Sequence, residues 1–103
     1  MTKQEFAAAV LACVANTVDA TCAQNERLEQ AGVRLDNGVL SICFCITDRP
    51  STRYGVRIEA IPEETDWTPA GWAGVVIANW VEWVDAADVV LPCSPGGGVV
   101  WLD

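Results

Sequence analysis

No histidine occurs anywhere in this chain of 103 residues. Its absence removes Ser-His-Asp and Cys-His nucleophilic arrangements, the most common general base at neutral pH, and the imidazole ligands of most zinc sites. Lysine and arginine are missing from residues 58–103, although eight acidic residues lie there. Residues 1–57 are balanced, with six acids and six bases, so the whole formal net charge of −8 belongs to the second half. Direct binding to DNA, RNA or an anionic membrane needs phosphate-neutralising cations, and this balance argues against all three. The carboxylates of the second half have no cation within that half to pair with. They are solvated, face the arginines of the first half, or meet a partner with a basic surface.

Charged residues make up only 19% of the chain, against 51% hydrophobic residues and five tryptophans. That is a folding composition, and the length suits one compact domain over residues 1–103. No uninterrupted apolar run reaches the roughly 18 residues of a bilayer span. The apolar stretch Phe6 to Ala15 is short for a leader, Glu5 offsets Lys3 ahead of it, and its pattern runs on past Cys13 as an amphipathic helix. The five cysteines, Cys13, Cys22, Cys43, Cys45 and Cys93, include no CxxC pair and form no ligand spacing. A reduced, cytoplasmic, soluble protein is expected, with no metal and no cofactor; a disulfide through Cys93 is the alternative for the thiols.

Thr2 followed by Glu5 reads as a capping box that opens a first helix. Phe6, Val10, Val14 and Val18 continue it at helical spacing; the stripe weakens at Gln24 and Asn25, resumes at Leu28 and stops at Gly32, with Glu26, Arg27, Glu29 and Gln30 as a polar helix end. Asp36-Asn37-Gly38 is a turn signal ahead of a strand from Val39 to Ile46. After the turn Asp48 to Thr52, the residues Tyr54, Val56, Ile58 and Ala60 alternate so as to share a face with Leu40, Ile42, Phe44 and Ile46 in a hairpin. Thr68-Pro69 supplies an N-cap and first-turn proline for a second helix running to about Ala87. On its wheel Trp72, Val76, Ile77, Trp80, Val81, Trp83 and Val84 cover half the circumference with Trp80 near the centre, and Glu82 and Asp85 lie opposite. Val89 to Leu91 and Val99 to Leu102 read as one or two closing strands around a Pro- and Gly-rich loop. The expected order is α-β-β-α-β. It predicts an α+β fold in which two helices cover one face of a three- or four-stranded, mainly antiparallel sheet as a two-layer sandwich.

Three clusters carry candidate chemistry. Gly96-Gly97-Gly98 lacks the lysine and helix of a phosphate loop and reads as a hairpin loop. Glu63, Glu64 and Asp66 have the acidity but not the spacing of a calcium loop, and acids before a helix ordinarily serve its dipole. In the hairpin drawn above Cys43 lies across from Arg57, and a guanidinium beside a thiol favours the thiolate, but no base accompanies it and a strand cysteine is equally a small hydrophobe.

What remains is acidity combined with surplus tryptophan. Tryptophan is favoured at interface hot spots and carboxylates around it steer a basic partner. The predicted contact set is Glu63, Glu64, Asp66, Trp72, Glu82, Trp83, Asp85 and Asp88, with Trp72 and Trp83 together at the edge of the second helix; the ordinary alternative is that each tryptophan simply fills core. The expectation is a non-enzymatic protein-binding module, monomer or homodimer, that occludes a basic surface, such as a nucleic-acid-binding one, on a partner protein. An inhibitor, an immunity protein or a phage-encoded anti-defence protein would work in this way. An acidic secretion-type chaperone or assembly adaptor is the first alternative, and a small-molecule-binding or thiol-dependent enzyme the second.

Overall fold

A computed structural model describes residues 1–64, 66–87 and 99–102. Its elements are α1 (Lys3–Gln24), β1 (Leu28–Asp36), β2 (Val39–Ile46), β3 (Arg49–Glu59), α2 (Pro69–Ala87) and β4 (Val99–Trp101). The fold is α+β. The four strands form one open sheet in the order β1-β2-β3-β4, antiparallel except for the parallel β3-β4 pair.

Helix α1 starts as the capping box requires: the Glu5 amide donates to Thr2 Oγ1 at 3.1 Å and the Thr2 amide to Glu5 Oε1 at 3.4 Å. Ala7, Val10, Val14 and Val18, spaced three and four apart, are its buried stripe. By length and mean hydropathy (1.6) α1 also reaches the range of a bilayer span, contrary to the expectation that no segment does. Composition decides nothing here, since a core helix and a signal sequence reach the same range.

The polar tail expected to end this helix is instead a turn at Glu26 and Arg27 followed by a strand that takes Glu29 and Gln30. Helix α1 stops at Gln24 with Asn25 in extended conformation, and β1 runs through Glu29, Gln30 and Gly32. Its register slips between Glu29 and Gly32, where Gln30 adopts a positive φ of 54°. This bulge places one extra residue opposite Phe44, so Leu28 and, beyond the bulge, Val33 and Leu35 all pair with the inward residues Ile46, Ile42 and Leu40. Strict alternation would have sent Leu28 and Val33 to opposite faces. The turn after β1 is a two-residue hairpin loop with Asn37 at φ 52° and Gly38 at φ 77°, the double positive φ of a type I′ turn.

Leu40, Ile42, Phe44, Ile46, Tyr54, Val56 and Ala60 are buried as the alternation predicts, and Ile58 is half-buried. They share one core with the α1 stripe and with Ala73, Val76, Trp80 and Val84 of α2. Trp80 is fully buried at the centre, edge-on to Phe44 at 6.1 Å and 82°. Helix α2 keeps the expected wheel: Glu82 and Asp85 are exposed, while Trp72, Ile77, Val81 and Trp83 flank the buried row. The strand expected over 89–91, the loop with Cys93 and the triple glycine lie outside the described residues, whereas the closing strand at Val99 is β4, paired with Arg53 to Gly55.

Candidate functional site

The loop from Ala60 to Thr68 joins β3 to α2 and holds three of the acids singled out by sequence. Ala60 anchors its start, buried and donating its amide to the Gly38 carbonyl at 2.9 Å. Thr68 anchors its end as the N-cap: Gly71 donates to Thr68 Oγ1 at 3.0 Å and the Trp72 amide to the Thr68 carbonyl at 3.0 Å. Between these anchors Glu63, Glu64 and Asp66 are exposed and have no hydrogen-bond or ion-pair partner among the described residues.

With Thr68 as N-cap, Trp67 stands at the position before it and Trp72 at the fourth helical position, the two places a hydrophobic staple joins. Their rings meet at 5.5 Å and 62°. The Trp72 indole N–H also donates to the Glu59 carbonyl at 2.9 Å, which ties the helix start to the end of β3. Trp72 is therefore a half-buried strut, and Trp67, 37% exposed, carries the accessible ring. Sequence reasoning passed over Trp67; the staple spacing counted from Thr68-Pro69 was the signal that marks it.

An open groove of about 540 Å³ lies beside this loop. One wall comes from the start of α1, through Met1, Thr2, Lys3 and Phe6. The other comes from Ile61, Pro62, Glu63, Glu64 and Trp67. Met1 and Phe6 occupy the same two staple positions around the N-cap Thr2 that Trp67 and Trp72 occupy around Thr68, so the groove is bordered by the capped starts of both helices. Lys3 is the one cationic side chain in its lining.

The other predicted contact residues do not join this site. Trp72 and Trp83 are neighbours on the helical wheel but eleven residues apart, which separates them by about 16 Å along the axis. Trp83 packs half-buried against the core. Glu82 and Asp85 form a separate exposed patch near the C-terminal end of α2, and Asp88 lies outside the described residues. The described part of the predicted set thus falls into two acidic regions, and the exposed ring beside the first is Trp67.

Cys43 faces Gly55, and Arg57 faces Ser41. The expected pairing of Cys43 with Arg57 fails because β3 begins at Arg49, so the turn is shorter than Asp48 to Thr52, and the irregularity between the pairs Ile46–Arg49 and Cys45–Arg53 takes back only part of that shift, which leaves the register moved by two residues. Arg57 instead places its guanidinium 4.4 Å from the centroid of the Trp101 ring. Among the described residues no group of three Cys, Asp or Glu converges as a metal site would require.

No protein-family model matches the chain, and no curated protein or solved structure is detectably similar to it.

Proposed function

We propose that this protein is a non-enzymatic binding module that covers a basic surface of another protein, as an inhibitor, immunity or anti-defence protein does. The observation that carries this reading is the loop between β3 and α2. It displays three exposed carboxylates, Glu63, Glu64 and Asp66, unpaired among the described residues, beside the exposed ring of Trp67. Carboxylates without internal hydrogen-bond or ion-pair partners are free to steer a cationic surface, while an indole on a fixed strut offers buried area at small entropic cost. Glu82 and Asp85 extend the acidic field along α2. The absence of histidine is in keeping with a binding role.

Affinity capture from a lysate, with washes at low and then high salt, tests the reading. A basic protein retained at low salt and released at high salt supports it. The triple variant Glu63→Lys, Glu64→Lys, Asp66→Lys is expected to lose that protein and the salt dependence together. Retention unchanged in the triple variant defeats the electrostatic reading.

A further inference from the structure

The face of the sheet turned away from the core is built from residues that alternate with the core positions, and the register aligns them in rows across β1, β2 and β3. Asp36 and Glu59 flank Val39 in one row, and Arg34 and Arg57 flank Ser41 in the next. Gly32 and Gly55 flank Cys43 in the third row, and Glu29 and Arg53 flank Cys45 in the fourth. Trp101, 41% exposed, borders the third row on β4. Three arginines and three acids thus share this face, all of them exposed, and their formal charges cancel, so the −8 of the chain resides elsewhere. Two copies of so acidic a protein repel each other wherever like charge accumulates, and on this surface they approach without that cost.

The rows are also complementary to themselves. A two-fold axis that crosses the strands between the second and third rows reverses the row order in a second copy stacked face to face. Arg34 of one copy then lies over Gly32 of the other, where a Cβ would meet nothing within 4 Å, and Arg57 lies over Gly55 with its covering Trp101 ring. Glu59 lies over Arg53, twice by symmetry. Asp36 over Glu29, at the β1 corner, is the like-charged pair. A partner of one strong charge sign, nucleic acid included, would instead meet repulsion from every row of the matching sign.

We propose that two copies of this protein pair through these sheet faces, as the two halves of a β-sandwich do, about an axis between Ser41 and Cys43. Four strands about 4.8 Å apart and rows about 6.7 Å apart make a small contact, which suits a reversible dimer. The pairing draws on none of Glu63, Glu64 and Asp66, so it stands or falls independently of the basic-partner reading.

Sedimentation velocity over a concentration series, on the full chain under reducing conditions, tests it. A reversible monomer–dimer equilibrium is expected. Arg53→Glu sets Glu59 against a like charge and is expected to weaken the dimer at least tenfold. Glu29→Lys turns the corner mismatch into a pair with Asp36 and is expected to tighten the dimer severalfold. Asp19→Lys makes the same change of net charge on α1 and should tighten it less. All three sites are exposed, so the variants are expected to fold. Maleimide modification of Cys43, beside the axis, should slow as the protein is concentrated through the dimerisation range. A single-chain mass up to about 1 mM overturns the proposal. So does a dimer indifferent to Arg53→Glu, or one that Asp19→Lys tightens as much as Glu29→Lys. A Cys43 rate that stays constant while the dimer forms puts the contact on another surface and overturns it as well.

Discussion

Trp101 lies directly on Gly55: a Cβ built at Gly55 would stand 2.6 Å from Cζ3 of the indole and 2.8 Å from Cε3. Glycine is needed here for the approach of a neighbouring ring, not for an unusual backbone angle. The parallel pairing of β4 on β3 puts the two residues opposite each other, and Leu102 then donates its amide to the Gly55 carbonyl at 2.8 Å. Arg57 lies over the same ring, its guanidinium carbon 4.4 Å from the centroid. Gly55→Ala is therefore expected to lift Trp101, break the contact with Arg57 and cost about 1–3 kcal/mol as overpacking does, towards the lower end because the ring is 41% exposed and can move. Urea denaturation gives the cost, and a red shift in tryptophan emission reports the displaced ring. Unchanged stability and emission would show that β4 does not dock this way.

The bulge at Gln30 has a larger expected effect than its exposed position suggests. Deleting Gln30 removes the extra residue opposite Phe44, so Leu28 and the pair Val33 and Leu35 can no longer face the core together. Giving up the burial of Leu28 alone is worth about 1.5–3 kcal/mol. The deletion should lower the urea midpoint by at least that amount, whereas Gln30→Gly, which keeps the extra residue and relieves the positive φ, should stay within about 1 kcal/mol of wild type. A deletion variant as stable as wild type would mean that β1 does not hold this register.

Trp80 presents a choice between size and polarity. It is fully buried, and its indole N–H has no partner among the described residues. Trp80→Ala empties the space against Phe44 and is expected to cost about 3–5 kcal/mol. Trp80→Phe keeps much of that contact and removes a buried donor whose lack of a partner itself costs about 1–3 kcal/mol, so its loss should be less than half that of alanine. Chemical denaturation of the two variants decides; phenylalanine as damaging as alanine would show that the N–H is satisfied or that the indole's full area is required.

The loop acids should be separable from the fold. Glu63, Glu64 and Asp66 are exposed and have no hydrogen-bond or ion-pair partner among the described residues, so reversing all three to lysine is expected to change stability by no more than a few tenths of a kcal/mol per site. Loss of partner capture in a variant that melts like wild type would assign these carboxylates to binding. A large loss of stability would instead make them part of the cap of α2.

Thiol labelling tests the hairpin independently. Cys45 is 5% exposed while Cys43 is half-buried, although the two sit on the same face of β2. A maleimide reagent is expected to modify Cys43 in the folded protein and Cys45 only after denaturant is added, read by mass spectrometry of the digested chain. Cys45 labelled first would contradict the packing around Gln30, whose side-chain oxygen lies 4.0 Å from its sulfur.

Much of this architecture follows from local rules acting on neighbouring residues. The Thr2-Glu5 capping box, the Thr68 N-cap, the Asn37-Gly38 turn, the period-two faces of β2 and β3 and the Trp80-centred stripe of α2 are all set by interactions within a few positions, and each is where the sequence places it. β1 was not legible because its apolar residues change parity at the bulge, so Leu28 and Val33 together satisfy neither a strand period nor a clean helix. The pairing of Cys43 with Gly55, the contact of Trp101 with Gly55, and the groove joining the two helix starts depend on which strand lies beside which and on where a turn ends. Those are relationships between distant residues. From the sequence alone came the acidity of the second half, the lack of histidine and the type of nearly every element. Only tertiary structure decided that Trp67 carries the exposed ring while Trp72 braces it, because a side chain's exposure is fixed by what packs over it and not by its place on a wheel.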